Sequence, residues 1–149
     1  METIQIKDTV YPLHRCGTLV IGTGCAGYNA ADTLYDLGYR DILIATEGIH
    51  MGTSRNTGSD KQTYYKLAIQ SGETDSVEQM AQTLAAGGSV NGDTAYVEAV
   101  NSLRCFMKLV NLGVPFPTNE YGEFVGYQTD HTTTKRATSA VPLTSKFMT

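Results

Sequence analysis

The spacing of hydrophobic positions along this chain changes several times, and each change marks an element. Residues 3–7, TIQIK, alternate with the period of a short strand. The segment VYPLHRC then leads into an unbroken apolar run, Leu19-Val20-Ile21. A helix is predicted from about Ala26 to Leu37, with Ala30, Ala31 and Leu34 on its sheet-facing side and Gly38 placed to end it. A second apolar run, Ile42-Leu43-Ile44-Ala45, follows. Residues 47–62, EGIHMGTSRNTGSDKQ, are too polar and glycine-rich for regular structure and predict a long ordered loop. After a short stretch at Tyr64–Ala68, a second helix opens at Asp75 or Ser76. Its buried stripe is Val77, Met80, Ala81 and Leu84, and Gly87-Gly88 closes it. A longer helix, capped by Asp93, carries the stripe Tyr96, Val97, Val100, Leu103, Met107 and Val110 and ends at Gly113. The run VPFPTNEYGEFVGY predicts a hairpin turning at Asn119 to Gly122. Strand, helix, strand and further helices make this an α/β chain.

The chemistry sits where the first strand meets the first helix. Gly22-Thr-Gly24-Cys-Ala-Gly27 follows the strand directly. Gly22 permits a sharp turn, and the missing side chain at Gly24 lets a diphosphate approach the backbone. Gly27 lets the helix pack close to the sheet. The first N–H groups of the helix, including those of Cys25 and Ala26, then face the phosphates with the positive end of the helix dipole behind them. Glu47, twenty residues beyond Gly27, stands where a carboxylate can accept hydrogen bonds from an adenosine ribose. The order of strand, glycine turn, helix, strand and acid predicts a dinucleotide site.

Composition narrows the classes. At 149 residues the chain is long enough for one core. A net charge of −4 and a pI near 5.2 provide no basic surface for nucleic acid. No apolar run approaches a membrane span, and METIQIKDTVYPLHRC lacks a signal-peptide core. Three cysteines, odd in number and widely spaced, suit a reducing cytoplasm. His14, His50 and His131 have no partners at ligand spacing, so no metal site is expected.

The chain stops on VPLTSKFMT, an apolar stretch with no cap or closing strand. One β-α-β unit followed by helices also leaves a parallel sheet short of strands. Either further strands come from another chain, or these residues are the front of a longer polypeptide, the reading favoured here.

Three pieces together resemble the N-terminal part of the FAD-dependent oxidoreductases related to succinate dehydrogenase and fumarate reductase flavoproteins and to L-aspartate oxidase. They are VIGTGCAGYNAA with Glu47 ending the next strand, the loop GTSRNTGSDK, and the run QTLAAGGSVNGDTAYVEAVNSLRCFMKLVNLGVPF. The likeness covers most of residues 18–130. It implies a Rossmann-like FAD-binding domain, incomplete in this chain, with residues 1–149 its N-terminal part and 115–149 the start of a substrate or capping region. It implies FAD on Gly22, Gly24, Cys25, Ala26 and Gly27, with the ribose on Glu47. Thr53, Ser54 and Asn56 would touch the pyrophosphate or the flavin edge. The substrate would be a small carboxylate or related acceptor, and the flavin would carry the redox chemistry.

The chain departs from the family in places. Some members attach FAD through a histidine in this loop, but Arg55 aligns there and His50 lies earlier, so a non-covalent FAD is expected. The family's small-residue run is replaced by Gly58-Ser-Asp60-Lys61. TDHTTTKR loosely resembles the family's G-H-S-x-x-R segment with spacing altered by one, which makes His131 or Arg136 a candidate substrate contact.

Plain structural readings stand beside these. Cys25 is a small packing residue in the turn, and Cys16 and Cys105 are buried small hydrophobes. Tyr64 and Tyr65 are packing residues. Lys61, Lys135 and Arg136 are solvated charges, while Asp75 and Asp93 are helix caps. Two other functions compete with the flavin reading: an NAD(P)-dependent dehydrogenase domain, and a non-catalytic subunit of a split flavoprotein.

Overall fold

In a computed structural model of the chain, residues 2–56 and 63–140 are described. They form two compact units, residues 1–58 and 59–149.

The first unit opens with β1 (Thr3–Ile6) and β2 (Thr9–Pro12), an antiparallel hairpin whose turn holds Lys7 at φ +54°. β3 (Thr18–Ile21) and β4 (Ile42–Ala45) then pair in parallel, with α1 (Cys25–Asp36) between them in sequence. This is the expected β-α-β unit. Gly38, at φ +96°, ends α1: its N–H reaches Tyr35 O at 3.0 Å and the Tyr39 N–H reaches Leu34 O at 3.0 Å. Two bonds of this kind close the last turn of a helix without a Cβ clash. Ala31 is buried and Leu34 half-buried as predicted, but Ala30 is exposed. The loop after β4 contains one short helical turn, α2 (Thr53–Asn56), so it is not wholly irregular.

The second unit contains β5 (Thr63–Tyr65), α3 (Val77–Ala86), α4 (Gly92–Asn111), β6 (Tyr127–Thr129) and β7 (Thr132–Ser139). Its sheet is antiparallel in the order β5-β7-β6. Sequence pattern did not foresee this sheet, so helices alone do not follow the β-α-β unit. The hairpin turn at Asn119–Gly122 is present: the Asn119 N–H donates to Glu123 O at 3.0 Å, and Thr118 bridges Phe124.

α3 carries the stripe that its spacing predicts. Met80 and Ala81 are buried, with Val77 and Leu84 packed beside them, and Ser76 caps the helix by accepting from the Gln79 N–H. α4 differs. Its buried row is Ala95, Ala99, Ser102 and Phe106, whereas Tyr96, Val97, Val100 and Met107 are exposed. Both rows repeat at helical spacing and lie side by side on the helix. The small row wins because Ala95 and Ala99 let α4 approach α3 closely and share its core with Met80 and Ala81. Beyond them Phe106 packs among Tyr64, Phe116 and Phe124, with ring centroids 4.6 Å and 5.1 Å away for the two phenylalanines.

Several charge and cap assignments change. Asn91, not Asp93, caps α4, its Oδ1 accepting the Asp93 N–H at 2.8 Å. Arg136 is not solvated but 1% exposed, and Asp75 is its ion-pair partner rather than a cap. Lys66 is equally buried. Cys105 is exposed and Cys16 half-buried, so neither is a fully buried hydrophobe. The departure at Gly58–Lys61 and the apolar ending VPLTSKFMT lie outside the described residues.

Candidate functional site

The glycine turn is built as its residue types require. The Gly22 N–H donates to Ala45 O at 2.7 Å, which ties the end of β3 to the end of β4, and its φ of +94° turns the chain off the strand. Gly24 is the N-cap of α1, and the first helical bond runs from the Tyr28 N–H to Gly24 O at 3.0 Å. Gly27 is the most constrained of the three: a Cβ there would stand 2.3 Å from Gly22 O. At Gly22 a Cβ would meet nothing within 4 Å, and at Gly24 only Ser54 Oγ at 3.6 Å. The space over the turn is therefore open to a ligand, while the space beneath it is filled by its own backbone.

The loop after β4 folds back onto this turn. Ser54 Oγ accepts the Cys25 N–H at 3.0 Å, so one of the three leading amides of α1 already points at an oxygen. The side-chain amide of Asn56 donates to His50 O at 3.2 Å and Gly52 O at 3.0 Å, which holds the loop in shape rather than aiming outward. Cys25 is exposed, and its contribution to the turn is its N–H rather than a packed thiol. Glu47 is exposed in the bend beyond β4, with no ion-pair or hydrogen-bond partner among the described residues. All nine sequence-predicted residues (Gly22, Gly24, Cys25, Ala26, Gly27, Glu47, Thr53, Ser54 and Asn56) fall in the first unit. Open space above two glycines, a row of helix-start amides, and a hydroxyl already on one of them fit an anionic diphosphate.

The family of this chain follows from direct comparison. The model of the FAD binding domain family matches residues 17–146. This chain belongs to the FAD binding domain family, and its cofactor is FAD. It is similar to the L-aspartate oxidase of Vibrio cholerae serotype O1, with 31% identity over 112 residues. That match covers 72% of this chain and 19% of the relative, so the chain spans about a fifth of the length of the curated relative it matches. No solved structure matches the chain at a significant level.

Thr23 in the turn, and Thr46 and Gly52 packed against it, escaped sequence reasoning. Thr23 Oγ1 lies 3.0 Å from Met51 O and 3.2 Å from Thr46 Oγ1, and Gly52 at φ +111° packs on the Thr23–Gly24 peptide. The signal available was the hydroxyl between Gly22 and Gly24 together with one just past the second strand. The parallel register Ile21↔Ala45 sets those two hydroxyls near each other. In the second unit, Arg136 is committed to Asp75, Thr83 and Tyr65, and His131 is exposed in the turn between β6 and β7. Among the described residues no helix is long and apolar enough to cross a membrane.

Proposed function

We propose that this chain is the nucleotide-binding segment of a Rossmann-like, FAD-dependent oxidoreductase of the fumarate reductase and succinate dehydrogenase kind. Residues 1–149 form the N-terminal part of its FAD-binding domain, and 115–149 begin a substrate or capping region. Its substrate is a small carboxylate or related acceptor. Gly22, Gly24, Cys25, Ala26 and Gly27 hold the diphosphate, and Glu47 holds the adenosine ribose. Thr53, Ser54 and Asn56 line the pyrophosphate or flavin edge. The observation that carries this reading is the Ser54 hydroxyl standing 3.0 Å from the Cys25 amide, which brings the polar loop and the glycine turn to one place. The β-α-β pairing of β3 with β4 supports the fold, and the similarity to an L-aspartate oxidase supports the reaction class. When bound, the flavin supplies hydride transfer, and the protein supplies position and electrostatics. Arg55 in the loop supports a non-covalent cofactor. Three free thiols among the described residues support a reducing, cytoplasmic setting.

The test is the visible spectrum of the purified chain with added FAD, alongside Glu47→Ala. We expect flavin bands that remain with the protein and leave it on denaturation, no turnover from the 149 residues alone, and FAD binding weakened at least roughly tenfold by the substitution. Nicotinamide binding without flavin binding would overturn the reading. A second reading, in which the sheet is completed by another chain, is favoured by Leu19 and Ile21, which are 52% and 81% exposed on one face of a parallel pair. A stable complex with a second, different polypeptide on sizing would support it.

A further inference from the structure

Thr23 lies between the first two glycines of the turn and needs no hydroxyl for any glycine role. Its Oγ1 has one proton and two close neighbours, Met51 O at 3.0 Å and Thr46 Oγ1 at 3.2 Å. The Met51 carbonyl can only accept, so it takes the Thr23 proton. By the same argument Gly48 O, at 3.2 Å, takes the one Thr46 proton, and the 3.2 Å contact between the two hydroxyls shares one of these two protons. The directions of the two bonds to the loop carbonyls are thereby fixed. The chain of hydroxyls joins the turn at residue 23, the end of β4 at residue 46 and the loop at residues 48 and 51. One step further along, a Cβ on Gly52 would stand 3.2 Å from Gly24 N and 3.3 Å from the Thr23 carbonyl, so the loop backbone lies directly on the turn. Ser54 follows two residues later and reaches the Cys25 N–H.

We propose that Thr23, with Thr46, is a positioning residue for FAD: its hydroxyl clamps the loop of residues 48–56 onto the glycine turn before the cofactor arrives and so sets Ser54 over the first amide of α1. This rests on the FAD site proposed above. The clamp lowers the cost of ordering the loop when cofactor binds, which is how preorganisation raises affinity. Thr23 acts through the loop and contributes nothing directly to the cofactor.

The test uses the full chain with Thr23→Val, Thr46→Val, Thr23→Ser, Ser54→Ala and the double variant Thr23→Val/Ser54→Ala. Amide hydrogen exchange without FAD reports the loop, and titration with FAD reports affinity. We expect Thr23→Val and Thr46→Val each to speed exchange across 48–56 in the absence of FAD and to weaken FAD binding about fivefold to thirtyfold. Thr23→Ser should restore both. In the Ser54→Ala background, Thr23→Val should lose most of its remaining effect, because the group it positions is gone. Unchanged loop exchange with weakened FAD binding would make Thr23 a direct ligand and overturn the proposal. Unchanged affinity in both valine variants, or full additivity with Ser54→Ala, would also overturn it. If the wild-type chain binds no FAD, the site assignment itself fails, and that outcome is separate from failure of the clamp.

Discussion

Gly27 lies against the carbonyl of Gly22, so that a β-carbon at residue 27 would stand 2.3 Å from that oxygen and 3.5 Å from a methyl of Val20. Gly24, three residues earlier, has ordinary φ and would place a β-carbon no nearer than 3.6 Å to anything, the neighbour being Ser54 Oγ. The two glycines therefore fail differently. We expect Gly27→Ala to destabilise the first unit by roughly 3 kcal/mol, because backbone must move to admit the methyl. Gly24→Ala should cost stability within about 1 kcal/mol yet remove most FAD affinity, since its methyl occupies the face a diphosphate approaches. Thermal unfolding without cofactor and FAD titration, run on both variants, separate the two effects. Equal loss of stability in both would show that the space over Gly24 is structural rather than a ligand cradle.

The glycine turn was legible because its chemistry is backbone chemistry, and only glycine fits positions 22 and 27. The α3 stripe was legible for another reason: it offers one bulky apolar row and no competitor. α4 offers two adjacent rows, and only the partner helix decides that Ala95, Ala99 and Ser102 go inside while Tyr96 and Val97 stay out. The Asp75–Arg136 pair spans 61 residues, and no local pattern announces a contact at that distance. β6 and β7 hid in a threonine-rich run that reads as polar, although threonines at 129, 132, 133, 134 and 138 are strong strand formers. Polarity outweighed β-branching in that reading, and β-branching was the better guide.

Asp75 and Arg136 form the buried ionic centre of the second unit. The guanidinium donates from Nε at 2.8 Å and from Nη2 at 2.6 Å to the carboxylate, and from Nη1 to Thr83 at 2.8 Å. Burial alone would raise the Asp75 pKa, but Arg136, the Ala68 N–H and the Ser76 N–H together hold it below its ordinary 3.8. Its stabilising contribution is thus complete above that ordinary value and is lost as pH falls through the lower folded value. We expect Asp75→Asn to cost roughly 3 kcal/mol at neutral pH by leaving a buried guanidinium uncompensated. The double variant Asp75→Leu/Arg136→Met should recover much of that loss. Chemical denaturation from pH 7 to pH 3 should show wild type losing its advantage over Asp75→Asn at the acid end. An advantage that does not begin to shrink as pH falls below 3.8 would refute the pairing.

Lys66 is 1% exposed, with its ammonium 4.8 Å above the Phe106 ring and 3.3 Å from Leu67 O. Burial lowers its pKa from 10.5, and the nearby Asp75 charge opposes that shift only in part. The unfolded chain therefore holds this proton more tightly, and the group's penalty shrinks as pH rises from its folded pKa toward 10.5. We expect Lys66→Met to be neutral or stabilising by up to about 2 kcal/mol at neutral pH, with the difference narrowing as pH approaches 10.5. Tyr64, pushed up to about 12 by burial, weakens both proteins above its ordinary 10 and cancels in the comparison. The measurement is paired denaturation curves across that alkaline range. A difference that widens with pH would mean that the charged form is favoured by folding.

Thr138 stands opposite Tyr64 in the β5–β7 register, 1% exposed, and its hydroxyl has no hydrogen-bond partner among the described residues. A hydroxyl removed from water without a partner costs about 1–3 kcal/mol, and valine has nearly the same shape without the polar atom. β-Branching is retained, so the strand loses nothing in backbone preference. We expect Thr138→Val to stabilise the second unit by roughly 1 kcal/mol, raising the denaturation midpoint with no change in its slope. Thr138→Ser should do the reverse, because it keeps the unpaired hydroxyl and opens space where the methyl was. If valine instead destabilises, the hydroxyl is paired in solution and the interior of this sheet admits water.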